Sequence, residues 1–314
     1  MSILLSVIVP FYKVEPYIEQ CICSLYSQDI PQEEYEVICV DDCSPDGSRA
    51  IVEHLQKRFS SLKLICHKNN KKQGGARNTG LKAAQGKYVM FVDSDDYLAP
   101  NCMSALLSAA EEKRLDVLVF DYCTTSESGS ELVTLDNIGN GIYTGEDFAC
   151  EVDRARWYYY VPSVWNKLYC RDFLTKNDLF FIEGLMYEDT DWSFLMLSKA
   201  RNVAYLKHTA YCYRLNMNSI THAKRTGEIL FYSIMLLKRS AQVYYIVQND
   251  KYKELIRSYI TSQIGVLRVE LKNCSLLERC RYYGKIRHNS IGLLKNFCNW
   301  RTWFAVRYAI TVFV

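Results

Sequence analysis

The sequence predicts an α/β chain built on a doubly wound, mostly parallel sheet flanked by helices. Three observations carry that expectation. Short, almost wholly apolar runs alternate with segments whose apolar residues recur at helical spacing. The connections between them are short, as in a parallel sheet with crossover helices. Two of the runs end in carboxylates, and right-handed crossovers gather such strand ends on one edge.

The elements follow in order. LSVIVPF, residues 5–11, reads as a buried strand closed by Pro10. Pro16 then opens a helix whose Ile18, Cys21, Ile22, Leu25 and Tyr26 form one apolar stripe. YEVICVDD, residues 35–42, is a second strand with two terminal carboxylates. The turn SPDGS caps a helix with Ile51, Val52, Leu55 and Phe59 inward, and LKLICH is a third strand. The loop KNNKKQGGARN leads into a small-residue helix around Ala76, Gly80, Ala83 and Ala84. Tyr88 to Val92 form the next strand, followed by a helix around Met103, Leu106, Leu107 and Ala110. DVLVFDY closes the series. Residues 124–141, rich in Ser, Gly, Asn and Thr, read as a surface loop. An aromatic region follows, then a helix opened by Glu188, Asp189 and Asp191, a strand from Thr209, and a nearly all-helical remainder.

The chain has 314 residues, long for a single core, so residues 1–222 are expected to form the main domain and 223–314 a helical appendage. Its thirteen cysteines are scattered, and Cys21, Cys39 and Cys66 lie in apolar runs. Reduced thiols of a cytoplasmic protein are expected rather than a disulfide framework or zinc site. SILLSVIVPF after Met1 lacks the charged leader and cleavage site of a signal peptide, and no apolar run is long enough to span a membrane. The net charge of +3 is uneven: residues 271–314 hold eight Lys or Arg and one acid, Glu278. A basic tail on a slightly acidic body implies an anionic surface as partner, and nucleic acid is not expected.

YVMFVDSDDYL, residues 88–98, is the chemical centre. Asp93, Ser94, Asp95 and Asp96 arrive together at a strand's carboxyl end. Three carboxylates so close repel one another unless a cation or hydrogen-bond donors offset the charge. Hard divalent cations take such oxygen ligands and bridge them to substrate phosphates. The stretch therefore reads as a metal-plus-diphosphate site, with an ordinary polar turn as the alternative.

These segments resemble, in order, the family-2 inverting glycosyltransferases of GT-A fold that serve bacterial polysaccharide synthesis. The residues are SVIVPFY (6–12), VDDCSPDGS (40–48), GGARNTGL (74–81), FVDSDDYL (91–98) and YEDTDW (187–192), with weaker matches at WNKLY (165–169), Tyr213-Arg214 and SIT (219–221). The resemblance spans residues 3–222. It implies a UDP-sugar donor and a glycan or lipid-linked acceptor. It places Pro10 and Tyr12 around the uracil and ribose, and makes Asp42 an acceptor for the base. Arg77, Asp93 and Ser94 fall near the nucleotide and donor sugar. Asp95 holds Mg²⁺ or Mn²⁺, and Asp189 is the catalytic base beside Glu188. Two departures stand out. Lys13 replaces a usual Asn, and Lys71 and Lys72 follow Asn70 where the family usually has Gly.

The residue types suit that chemistry. A cation stabilises charge on a leaving diphosphate, and a carboxylate takes the proton of the attacking hydroxyl. Tyr187 and Trp192 are placed to desolvate Asp189 and raise its pKa. His222, after the SIT motif, is either a surface histidine or a further metal ligand. Trp157, Trp165 and the tyrosine run either stack on sugars or build core. The tail, with Trp300, Trp303, Phe304, Tyr308 and Phe313, either lies at the inner face of a membrane or packs against the domain or a second subunit. A sugar-phosphate nucleotidyltransferase is the first competing reading, but it calls for a Gly-rich loop where PFYKVEP stands. A non-catalytic carbohydrate-binding protein is the second, and Asp95 with Asp189 argues against it.

Overall fold

The computed structural model describes residues 3–126, 128–215 and 227–273. Among these, nine strands make one sheet. β1 (Leu5–Phe11), β2 (Tyr35–Asp41), β3 (Leu62–Cys66) and β4 (Tyr88–Phe91) pair in parallel in the order β3-β2-β1-β4. Every residue of β1 and β2 is buried, which explains their unbroken apolar runs. Pro10 does not close β1. The strand continues to Phe11, because β4 pairs with β1 only as far as Ile8 and asks no N–H of Pro10.

Past β4 the pairing is mixed. β8 (Lys167–Cys170) lies antiparallel between β4 and β6 (Val117–Ser126), and β6 runs parallel to β9 (Val203–Arg214). β5 (Tyr97–Leu98) follows β4 closely in sequence yet pairs with β9 at the other end of the sheet order. The sheet therefore curls, and its β5 end comes back to the turn that follows β4 in the middle of the strand order.

The expected loop at 124–141 is partly a hairpin. Residues 122–126 of β6 pair antiparallel with β7 (Gly129–Val133). Four of the five β7 residues are exposed, so this edge strand needs no apolar face and its composition imitates a loop.

Helices α1 (Ile18–Leu25), α2 (Ser48–Leu55), α3 (Lys72–Ala83) and α4 (Met103–Glu112) fall between the first strands as expected. The stripe of α1 buries Ile18, Cys21, Ile22 and Leu25. α3 begins four residues earlier than its small residues foretold. Its glycines serve close approach: a Cβ on Gly80 would meet Ile8 Cγ2 at 2.3 Å.

α5 (Gly145–Glu151), α6 (Arg154–Tyr160), α7 (Arg171–Lys176) and α8 (Glu188–Lys199) surround the second half of the sheet. α9 (Gly227–Ile246) and α10 (Asp250–Asn273) are the helical C-terminal region. Their Ile234, Leu237, Ile256 and Ile260 join the same apolar core as the sheet, and the Tyr252 hydroxyl donates to Phe194 O at 3.0 Å. The described cysteines are free thiols; Cys21 and Cys39 are buried, while Cys66 on edge strand β3 is exposed.

Trp157 and Trp165 belong to the core. Trp165 stacks on Tyr211 with centroids 4.6 Å apart, and Trp157 packs on Phe194 and Tyr259. Trp192 also belongs to the core. It is buried, stacked on Phe181 at 4.4 Å, and donates Nε1–H to Leu179 O. An indole one turn into a helix with a packed inner face is drawn to that face.

Candidate active site

One side of the candidate site is built by two strand-end loops that brace each other. Lys13 N–H donates to Ser44 Oγ (2.8 Å), Val14 N–H to Ser48 Oγ (3.0 Å), and Gly47 N–H to Glu15 Oε2 (2.7 Å). Pro10 is buried in β1, while Tyr12, just past it, is 42% exposed and open to a ligand. Lys13 has φ 58, a left-handed conformation that Asn adopts more readily than Lys. Lys72, at φ 64, occupies another such position. Lys71 pairs with Glu183 at 3.4 Å across an exposed rim.

Asp42 is buried just beyond β2. Its N–H donates to Phe11 O, and its own carbonyl accepts from Asn70 Nδ2. Asp42 Oδ1 lies 2.8 Å from both His67 Nδ1 and the Lys71 N–H. Asp41 turns to its own loop, accepting from Ser44 N–H.

At the end of β4 the three carboxylates have different surroundings. Asp93 Oδ1 accepts from Arg77 Nη2 (2.8 Å) and Gln73 Nε2 (2.7 Å). Asp96 is buried and accepts from the Tyr211 hydroxyl (2.7 Å) and the Arg214 N–H (2.7 Å). Arg214 Nε also donates to Asp95 O. Asp96 therefore fastens β9 to the turn. Among the described residues, the Asp95 carboxylate is hydrogen-bonded only by its own N–H, and burial followed by Asp93 pushes it up to about 6. Ser94 is buried between them.

Arg77, on α3, joins this turn to α8. Its Nη1 donates to Glu188 Oε1 at 2.8 Å, opposite the bond to Asp93, and the arginine is itself 2% exposed. Gly74 makes the approach possible, since a Cβ there would lie 2.8 Å from Glu188 Cγ and 2.6 Å from Ile182 O. α8 starts abruptly after Tyr187, which has φ 62 and leaves Glu188, Asp189 and Asp191 in the first turn. Burial pushes both Glu188 and Asp189 above the ordinary carboxylate range, against the pull of Arg77. Asp191 points elsewhere, to Arg239 of α9 at 2.6 Å. Beyond Tyr187 and Thr190, a cavity of ≈ 100 Å³ separates α8 from Leu237, Tyr259 and Gln263.

The structure thus brings Arg77, Asp93 and Glu188 into one bonded group, with Asp95 and Asp189 beside them in sequence and Asp42 at the far strand end. His222 and the SIT motif lie outside the described residues, as does the chain from 274 onward. Gln73, His67, Tyr211 and Arg239 were missed in the sequence. His67 alone carried a signal: it ends a predicted strand, as the carboxylates do. No group of three His, Cys, Asp or Glu side chains among the described residues is placed to hold a metal ion.

Comparison with known proteins agrees with this geometry. Residues 6–161 match the family model described as glycosyl transferase family 2. The chain is 35% identical over 219 residues to the uncharacterized glycosyltransferase EpsJ of Bacillus subtilis, covering 69% of this chain and 63% of that protein. With the putative glycosyltransferase EpsH of the same organism it shares 30% over 262 residues, covering 79% of this chain and 71% of that one. The chain thus spans less than two thirds of the length of EpsJ. The crystal structure of Staphylococcus aureus TarS 1-349 with UDP superposes with a TM-score of 0.73 at 22% identity, covering 99% of this chain and 89% of that one. The bonded acids at the strand ends, the shared fold and the identity to EpsH over most of its length lead to one conclusion: the chain belongs to glycosyl transferase family 2.

Proposed function

We propose that the protein transfers a sugar from a UDP-sugar to a hydroxyl of a glycan or lipid-linked acceptor, with inversion at the anomeric carbon, in surface-polysaccharide synthesis. The observation that carries this is the Asp93–Arg77–Glu188 bridge, which ties the strand-end carboxylates to the start of α8. The similar TarS has been crystallised with UDP and with UDP-GlcNAc, which supports a UDP-sugar donor. EpsH and EpsJ, described as glycosyltransferases, support the reaction type.

In this reading Tyr12 lines the nucleoside pocket beside Pro10, and Asp42 accepts from the uracil. Arg77 orients Asp93 toward the donor sugar and holds Glu188 so that Asp189, next in the chain, meets the acceptor. Asp189 takes the acceptor proton as the bond to the anomeric carbon forms and the bond to the UDP oxygen breaks. Its raised pKa makes it a stronger base than an exposed aspartate. The residues fit a Mg²⁺ or Mn²⁺ held by Asp95: its carboxylate has no partner beyond its own backbone, whereas Asp93 and Asp96 are engaged. The remaining ligands would be diphosphate and water oxygens. When bound, the cation supplies charge stabilisation of the leaving diphosphate. A structure of similar fold, a mannosyltransferase from Pyrobaculum calidifontis, holds GDP-Man and Mn²⁺.

No described helix is long and apolar enough to cross a membrane. A cytoplasmic enzyme, touching the inner membrane face or a second copy through residues 271–314, is the arrangement we propose. The test is thermal shift and turnover with a panel of nucleotide sugars, with and without Mn²⁺. A metal-dependent shift specific to UDP-sugars is expected, lost in Asp95→Ala. Full activity of that variant, or of the wild type in excess chelator, would overturn the metal role. Indifference to every UDP-sugar would overturn the reaction.

A further inference from the structure

We propose that His67 is a positioning residue for base recognition, fixing the Asp42 carboxylate so that one oxygen is held by the protein and the other meets uracil. The proposal rests on the UDP-sugar reading above.

His67 directly follows β3, and its N–H donates to Asp41 O at 2.9 Å, carrying the strand pairing one step further. Its side chain is 7% exposed. Nδ1 lies 2.8 Å from Asp42 Oδ1, and Nε2 lies 2.9 Å from Thr79 Oγ1 on α3. An ionised carboxylate can only accept, so Nδ1 carries a proton. The Thr79 hydroxyl also lies 3.0 Å from Gly75 O one turn back, and its single proton serves either that carbonyl or Nε2. The ring therefore cannot swing away from Asp42 without losing both partners.

All the side-chain bonds described for Asp42 fall on Oδ1, from His67 and from the Lys71 N–H at 2.8 Å. Oδ2 is the oxygen this arrangement assigns to the ligand. Uracil offers a donor at N3, whereas cytosine offers a lone pair there. A fixed carboxylate oxygen accepts from the first and repels the second; a carboxylate free to rotate discriminates less. Oriented charged acceptors of this kind gain their selectivity from what they refuse.

The experiment measures UDP and CDP binding by calorimetry for the wild type, His67→Ala, His67→Asn and Thr79→Val, with unfolding recorded in parallel. The wild type is expected to prefer UDP. His67→Ala is expected to lose about tenfold in UDP affinity, the scale of one hydrogen bond to a charged group. It should also bring the UDP-to-CDP ratio toward one. His67→Asn, whose amide N–H stands in for Nδ1–H, should restore most of the ratio. A loss of fold alone would not change that ratio. His67→Ala with UDP affinity and ratio both intact overturns the proposal. Should that variant not fold, Thr79→Val decides: a lowered ratio supports the proposal, and an unchanged one overturns it. A wild type that ignores UDP overturns the donor reading itself, and the proposal falls with it.

Discussion

Arg239, in the middle of α9, holds Asp191 of α8 at 2.6 Å with the carboxylate almost wholly buried. The helix that bears the candidate base is thus fastened from the C-terminal side. Burial outweighs the arginine and pushes Asp191 up to about 6, so the ion pair is costly to bury even though it is formed. A raised carboxylate pKa contributes stability below its unfolded value, lost as pH rises through about 6.

Arg239→Met should therefore destabilise by about 3 kcal/mol at neutral pH, where it strands a buried charge, and by little near pH 4. Asp191→Asn, a neutral isostere, should cost less. The double variant should recover part of the Arg239→Met loss. Urea midpoints at the two pH values check this. A pH-independent effect of Arg239→Met would mean that packing, not charge, is what the arginine provides.

Asp189→Asn should lower kcat by roughly 10²–10⁴-fold with UDP affinity nearly unchanged, because a base acts only in the transition state. Glu188→Gln should cost less and act mainly through KM, since Glu188 reaches the donor side through Arg77 and Asp93. Turnover and UDP binding measured together separate the two. An active Asp189→Asn beside a dead Glu188→Gln would exchange their roles.

The pH profile follows from the same burial. Asp189 must be deprotonated to accept the acceptor proton, and its pKa is raised. The acid limb of kcat should lie above the ordinary aspartate value of about 4. Rate should climb as pH rises through that limb, and the limb should vanish from the residual rate of Asp189→Asn. A limb at the ordinary value would mean that Asp189 is solvated during turnover.

Lys72 at φ 64 is strained where glycine is not. Lys72→Gly should stabilise the fold by about 0.5–1 kcal/mol, the left-handed penalty less the entropy glycine loses on folding. Its melting temperature should rise. An unchanged or lower value would show that the entropy glycine loses on folding cancels the relief of strain.

Much of the fold was legible because β1 and β2 are buried at every position, so an apolar run could mean little else. The Asp93–Asp96 turn was legible because its charges are consecutive. What escaped lies in partnerships over long separations. His67 meets Asp42 across 25 residues, and Tyr211 meets Asp96 across 115. Neither leaves a local pattern. Asp191 looked like its neighbours Glu188 and Asp189, yet it stands two residues past Asp189, about 200° round the helix, and reaches α9 instead.

The curl of the sheet bears on how the protein comes into being. During synthesis β1 to β4 emerge first and can pair as a local parallel unit. The aspartate turn that follows them is incomplete at that stage. Asp96 must wait for Tyr211 and Arg214, and β5 for the end of β9, more than a hundred residues later. Contacts that close so long a loop are late ones. A nascent chain should therefore own a folded four-stranded parallel sheet well before its aspartate turn is complete, and stalled or truncated products ending before residue 211 should be compact but inert.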